Sequence, residues 1–141
     1  MTREKLDNLA RIGGLQPQAQ SLQEFDGLKA SGVARLDDAR REDLSLESRF
    51  DLAYNAAHAL ALAALRWHGF RSEGRYLVFQ CLQHTVELSS AQWRVLDEAH
   101  RKRKLSEHEG YLEVDLKLVE ATIRVADWIR ERLEKLEPPT K

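Results

Sequence analysis

Cysteine, proline and glycine are scarce in this sequence, and each shortage excludes a class of protein. Cys81 is the only cysteine, with 3 prolines and 7 glycines in 141 residues. A lone cysteine excludes an intramolecular disulfide framework and a cysteine zinc site. Asn-Gly turns are missing and runs of Val, Ile and Thr are few, so we expect no strands. No apolar run approaches the roughly 20 residues needed to span a bilayer.

Net charge is also small, which limits the partners that the chain as a whole could attract. Lys and Arg number 22 against 23 Asp and Glu, for a net charge of -1. Overall charge therefore favours neither nucleic acid nor an anionic membrane, and such binding would need a local patch. The first residues are charged and do not form a signal peptide. We expect a soluble cytoplasmic protein without a membrane partner or a cofactor, and without a metal because its histidines lack ligand spacing.

Helical periodicity runs through almost the whole chain. The composition, 43% hydrophobic and 32% charged, is typical of a globular domain. We predict an all-α antiparallel up-and-down bundle of five to six helices. It forms a single domain, with N-terminal helices and a charged connection over 1–43 and a helical core over 44–136. The predicted helices cover approximately 3–12, 17–31, 46–68, 76–88, 89–110 and 111–136.

Local signals set the bounds of the second and third helices. Pro17 is expected in the first turn of the second helix, and Gly32 is expected to end it. Residues 33–43 are charged and mixed, which predicts a mobile connection that could contain one helical turn. Asp43 or Ser45 is the start signal of the third helix. That helix is rich in alanine, which permits close approach of a partner helix, so we expect it to be central.

One later helix changes from core-like to ionisable residues along a single face. Its start is predicted by a capping box at Ser89 and Gln92. Five residues at spacings of 3, 4, 3 and 4 share the face: Trp93, Leu96, His100, Arg103 and Glu107. Such a face either becomes exposed to solvent from His100 onward or places its ionisable side chains in a cleft, where they could bind or react. The basic run from His100 to Lys104 could bind phosphate, although charge alone favours a solvated surface.

Arg103 and His108 form an arginine-x4-histidine pattern near the end of this helix. On an unbroken helix the two side chains would point about 140° apart. They could converge if the helix bends or ends between them, which the nearby Gly110 makes feasible. A converged histidine could accept the proton of an RNA 2′-hydroxyl while the guanidinium stabilises the phosphate, without a metal.

The order of these features resembles the HEPN family (higher eukaryotes and prokaryotes nucleotide-binding) between Leu46 and Leu133. The residues that carry the resemblance are Arg49, Tyr54, Asn55 and His58 on a long helix, then Gly69, then Arg103 and His108. The resemblance implies an all-α bundle, commonly dimeric, with two Arg/His motifs facing each other across a dimer cleft. Many members are metal-independent endoribonucleases, often toxins. Others pair with a small nucleotidyltransferase, and others only bind.

The chain departs from the catalytic members directly after the arginine. Lys104 stands where active members usually carry a small polar residue, and Glu107 and Glu109 would favour a charged His108. The alternative hypothesis is therefore a non-catalytic module that binds a nucleotide or a protein. The candidate catalytic residues are Arg103 and His108. The candidate contacts to RNA or nucleotide phosphate are Lys104, Arg101, His100 and Asn55.

Overall fold

The computed structural model describes residues 2–110 and 113–139. In chain order its elements are α1 (Thr2–Arg11), β1 (Gln16–Pro17), α2 (Leu22–Ala39), α3 (Leu46–Trp67), β2 (Phe70–Arg71), α4 (Arg75–Thr85), α5 (Ser90–Glu109) and α6 (Leu116–Glu134). The helices pack against one another, which confirms the predicted all-α bundle. No helix among the described residues is long and apolar enough to cross a membrane.

Helix α3 occupies the centre of the bundle, as its alanines predicted. It packs against α2, α4 and α6. All of its alanines are buried: Ala53, Ala56, Ala57, Ala59, Ala61, Ala63 and Ala64. Their small side chains leave room for neighbouring helices at short axial distance. The positions that α3 presents to α4 and α5 are therefore fixed by a rigid packed element.

Three predictions for the region before α3 were wrong. Helix α2 continues through Gly32 to Ala39, so most of the predicted mobile connection is helical. Gly32 is buried against Leu60 of α3, and this close contact outweighs the poor helix propensity of glycine. Pro17 lies in β1, which pairs with β2, and not in a helix. Helix α2 instead begins after Ser21, whose hydroxyl caps its first turn.

A buried arginine fastens the segment between β1 and α2 to the end of α3. Arg66 is 1% exposed. Its guanidinium donates to the backbone carbonyls of Gln18 at 3.1 Å and Ala19 at 2.6 Å, and to the Glu24 carboxylate at 2.6 Å. Nη1 also donates to the carbonyl of Phe70 at 3.4 Å. All three nitrogens of this buried guanidinium thus have polar partners, as burial requires.

Helix α5 is regular along its whole length. The predicted capping box at Ser89 and Gln92 is present, and the helix ends at Gly110, whose φ of 79° is left-handed. No bend separates residue 103 from residue 108. Helix α6 begins later than predicted, after the cap residue Asp115, and the predicted start at 111 lies outside the described residues.

Candidate functional site

Tyr54 is the point where α3, α4 and α5 meet. It is 2% exposed and is therefore a core side chain. The ring of Phe79 on α4 packs edge-on against it, with centroids 5.5 Å apart. Its hydroxyl lies 3.0 Å from Nδ1 of His100 on α5. The apolar body of the tyrosine is therefore in the core, and its polar tip reaches the side where α5 passes.

Two guanidinium groups approach Tyr54 from different helices. The Cζ atoms of Arg75 on α4 and Arg103 on α5 lie 5.7 and 5.8 Å from the centroid of its ring. Both distances are in the range of cation–π contacts. Arg75 also donates to Oδ1 of Asn55 at 3.0 Å, and Nη1 of Arg103 lies 2.8 Å from Oδ1 of Asp51. Two cations from two helices thus meet at one aromatic residue.

Helical spacing explains why these residues share a site. Asp51, Tyr54 and Asn55 stand at i, i+3 and i+4 on α3, and His100 and Arg103 stand at i and i+3 on α5. The pairs Asp51–Arg103 and Tyr54–His100 run in opposite directions along the two helices. Helices α3 and α5 are therefore antiparallel here, and matching faces bring the polar residues together.

A cleft of about 650 Å³ opens beside Arg103. Its lining comes from the start of α3 and the end of α5: Leu44, Glu47, Ser48, Asp51, Leu52, Arg103, Ser106 and Gly110. Oδ1 of Asp51 is shielded from solvent, and its close contact with Arg103 is not aligned as a hydrogen bond. Charge attraction therefore holds the pair, while the N–H groups of Arg103, which is 35% exposed, stay available at the cleft wall.

Burial keeps the titratable rings of the site neutral. It lowers the pKa of His58 to about 4, assisted by the charge of Arg75. Burial and Lys104 lower the pKa of His100, against the opposite effect of Asp97 and Glu107. Burial also raises the pKa of Tyr54. The positive charge of the site therefore comes from its arginines, and Nδ1 of a neutral His100 can accept a hydrogen bond from the Tyr54 hydroxyl.

The structure brings together three of the predicted site residues and leaves three apart. His100 and Arg103 both contact Tyr54, and Asn55 joins them through Arg75. The face on which His100 and Arg103 were aligned in the sequence is thus the face that meets α3. Arg101, Lys104 and His108 are exposed around this site. Arg101 pairs with Asp97 at 3.0 Å.

The predicted bend that would bring Arg103 and His108 together is absent. Residues 90–109 form one continuous α-helix, so within one chain the two side chains point about 140° apart. Arg103 faces Tyr54 and Asp51, whereas His108 is exposed near the helix end. A site that uses both residues would need a second copy of the chain.

Sequence reasoning missed Arg75, Asp51 and Tyr76, which lie in or beside the site. Asp51 could have been found, because with Tyr54, Asn55 and His58 it forms a polar stripe on an otherwise alanine-rich helix. The placement of Arg75 depends on how α4 packs against α3, and the local sequence pattern does not predict that packing.

Neither a metal site nor a known relative assigns a function to these residues. In the described ranges, no three His, Cys, Asp or Glu side chains come together as a metal site. Cys81 is buried, which raises the pKa of its thiol to about 11. Comparison of the chain with protein-family models, curated proteins and solved structures found no match. The HEPN resemblance therefore stays a prediction.

Proposed function

We propose that this chain is a HEPN-type helical module that binds a phosphate group of RNA or of a nucleotide between Arg75 and Arg103. The convergence of these two guanidiniums on Tyr54, at 5.7 and 5.8 Å, is the observation that carries the proposal. Planar guanidinium forks match the oxygens of phosphate and can bind them in pairs. A phosphate placed between two such forks would receive donors from both helices.

The partners of the two arginines support anion binding. Arg75 is hydrogen-bonded to the neutral amide of Asn55, so this contact orients the guanidinium without cancelling its charge. Arg103 contacts the Asp51 carboxylate without an aligned hydrogen bond, and a phosphate could exchange for that carboxylate. The exposed basic side chains Arg101 and Lys104 would add long-range attraction.

The same geometry favours binding over cleavage. Arg103 and His108 diverge on one continuous helix, so the two side chains do not meet at one phosphate within a single chain. This ranks the non-catalytic hypothesis above the endoribonuclease or toxin hypothesis for a single chain. The HEPN resemblance adds a homodimer and, as an alternative partner, a small nucleotidyltransferase to the proposal. The cytoplasmic location expected from the sequence completes it.

Binding of a fluorescein-labelled single-stranded RNA decamer, followed by anisotropy, tests the proposal. Competition with ATP and with inorganic tripolyphosphate separates RNA, nucleotide and phosphate as ligands. We expect Arg75→Gln and Arg103→Gln each to weaken binding roughly tenfold or more, because each removes a charge-assisted hydrogen bond.

Arg94→Gln is the matched control. Arg94 is an exposed arginine of α5, nine residues before Arg103 and therefore about 180° around the helix. The substitution removes the same charge from the opposite face and should change binding by less than about twofold. An equal loss in all three variants, or no saturable binding by the wild type, would refute the proposed site.

A further inference from the structure

Tyr76 presents an exposed aromatic ring in a fixed position beside the arginine site. The residue is 37% exposed. Its hydroxyl donates to Oδ1 of Asp97 at 2.8 Å, and its ring lies 5.4 Å from the Trp93 ring at an interplanar angle of 63°. The opposing Arg101 compensates the charge of Asp97. Both the ring and the hydroxyl are thus held, whereas an exposed tyrosine normally changes rotamer freely.

One imidazole ring separates Tyr76 from the arginine site. The centroid of His100 lies 4.9 Å from that of Tyr76 and 6.3 Å from that of Tyr54. On α4, Tyr76 also directly follows Arg75, whose guanidinium contacts Tyr54. An aromatic surface and a pair of phosphate-binding cations are therefore neighbours on one face of the bundle.

We infer that Tyr76 is a stacking platform for a nucleobase whose strand places a phosphate between Arg75 and Arg103. The inference rests on the proposed function and names its ligand as single-stranded RNA. Stacking requires an open base face, which a duplex hides within its own stack. Since every base has such a face, the site would accept different sequences. A fixed ring loses little conformational freedom on binding, which favours affinity.

The test compares strands that share a phosphate backbone and differ in their bases. The probes are a fluorescein-labelled adenosine RNA decamer, a decamer of abasic ribose phosphates, and an RNA duplex of the same length. The variants are Tyr76→Leu, which removes the ring, and Tyr76→Phe, which keeps the ring and removes the bond to Asp97. Circular dichroism of each variant verifies its helical fold.

Tyr76→Leu should weaken binding of the adenosine strand roughly 5- to 150-fold and leave binding of the abasic strand unchanged. Tyr76→Phe should stay within about threefold of wild type, because its ring remains. The wild type should bind the duplex more weakly than the single strand. Arg103→Gln should weaken binding of both single strands.

Four results would overturn the inference. If Tyr76→Leu binds the adenosine strand like wild type while Arg103→Gln does not, the phosphate site stands and the platform is refuted. If Tyr76→Leu weakens both single strands equally, Tyr76 acts structurally. If the duplex binds as tightly as the adenosine strand, binding does not require an unpaired base. Failure of the wild type to bind either strand would refute RNA binding at the arginine site together with the platform.

Discussion

Replacing Gly32 by alanine should destabilise the bundle, although alanine is the better helix former. A Cβ at this position would lie 2.6 Å from Cγ and 2.8 Å from Cδ2 of Leu60, and 3.3 Å from the carbonyl oxygen of Ala56. Favourable carbon–carbon contacts begin near 3.5 Å. Leu60 is fully buried and cannot swing away, and the Ala56 oxygen belongs to the backbone of α3.

The expected net loss follows from two opposing effects. Overpacking of this severity costs about 3 kcal/mol, at the upper end of the usual range. The higher helix propensity of alanine returns about 1 kcal/mol. The free energy of unfolding should therefore fall by about 2 kcal/mol in Gly32→Ala, measured by urea denaturation with circular dichroism.

Gly27 provides the matched control on the same helix. It is exposed, and a Cβ there would meet no atom within 4 Å. Gly27→Ala should therefore stabilise the protein by up to about 1 kcal/mol, opposite in sign to Gly32→Ala. Equal effects of the two substitutions would refute the close approach of α2 and α3.

A double-mutant cycle with Leu60→Ala tests the named contact. Truncating Leu60 alone should cost about 2–5 kcal/mol because it leaves a cavity. In the Gly32→Ala background the cost should be up to about 3 kcal/mol smaller, since removing the leucine side chain also relieves the overpacking. Strict additivity of the two substitutions would exclude Leu60 as the residue that the methyl group meets.

The other predictions concern a buried histidine, a strained turn and the ribonuclease hypothesis. The pKa of His58 is about 4 in the folded protein, against its ordinary 6.5. The stability that the neutral ring contributes is therefore complete above pH 6.5 and is lost as the pH falls through about 4. The free energy of unfolding should drop over this window by up to about 3 kcal/mol, and less in His58→Gln, as urea titrations at several pH values would measure. An equal drop in both proteins would contradict the assignment. Glu87 has a φ of 62°, so Glu87→Gly should be about 1 kcal/mol more stable than Glu87→Ala in thermal unfolding. Equal stabilities would argue against a left-handed residue there. Purified protein in EDTA should leave RNA intact on a denaturing gel, because Arg103 and His108 diverge on α5. Cleavage that disappears in both Arg103→Ala and His108→Ala would contradict this and favour a site shared by two chains.

Features that depend on neighbours in sequence were predictable. The capping box joins Ser89 to Gln92 within one turn, and the alanines of α3 record how closely other helices approach. Gly32 was misinterpreted because its role depends on Leu60, which is distant in sequence. A glycine that ends a helix and a glycine that admits another helix look alike without that partner.

In the candidate site, too, the features that depend on neighbours in sequence were predictable and those that depend on distant residues were not. The spacing of His100 and Arg103 predicted a shared face, and the structure turns that face toward Tyr54. The pairing of Arg103 with His108 needed a bend that residues 90–109 do not have. Arg75 reaches Tyr54 only because α4 packs beside α3, so its part in the site could not be predicted from spacing.

The contacts of Arg66 determine which positions of the N-terminal segment can vary during evolution. Its guanidinium binds the backbone carbonyls of Gln18 and Ala19, while the side chains of both residues are exposed. Every amino acid supplies such a carbonyl, so substitutions at these two positions keep the Arg66 contacts, and only the bond from Arg71 to the side-chain oxygen of Gln18 depends on the residue at position 18. Position 66 has no such freedom, because arginine alone offers five donors in a planar fork. One buried arginine can therefore hold a segment through backbone atoms that any sequence supplies.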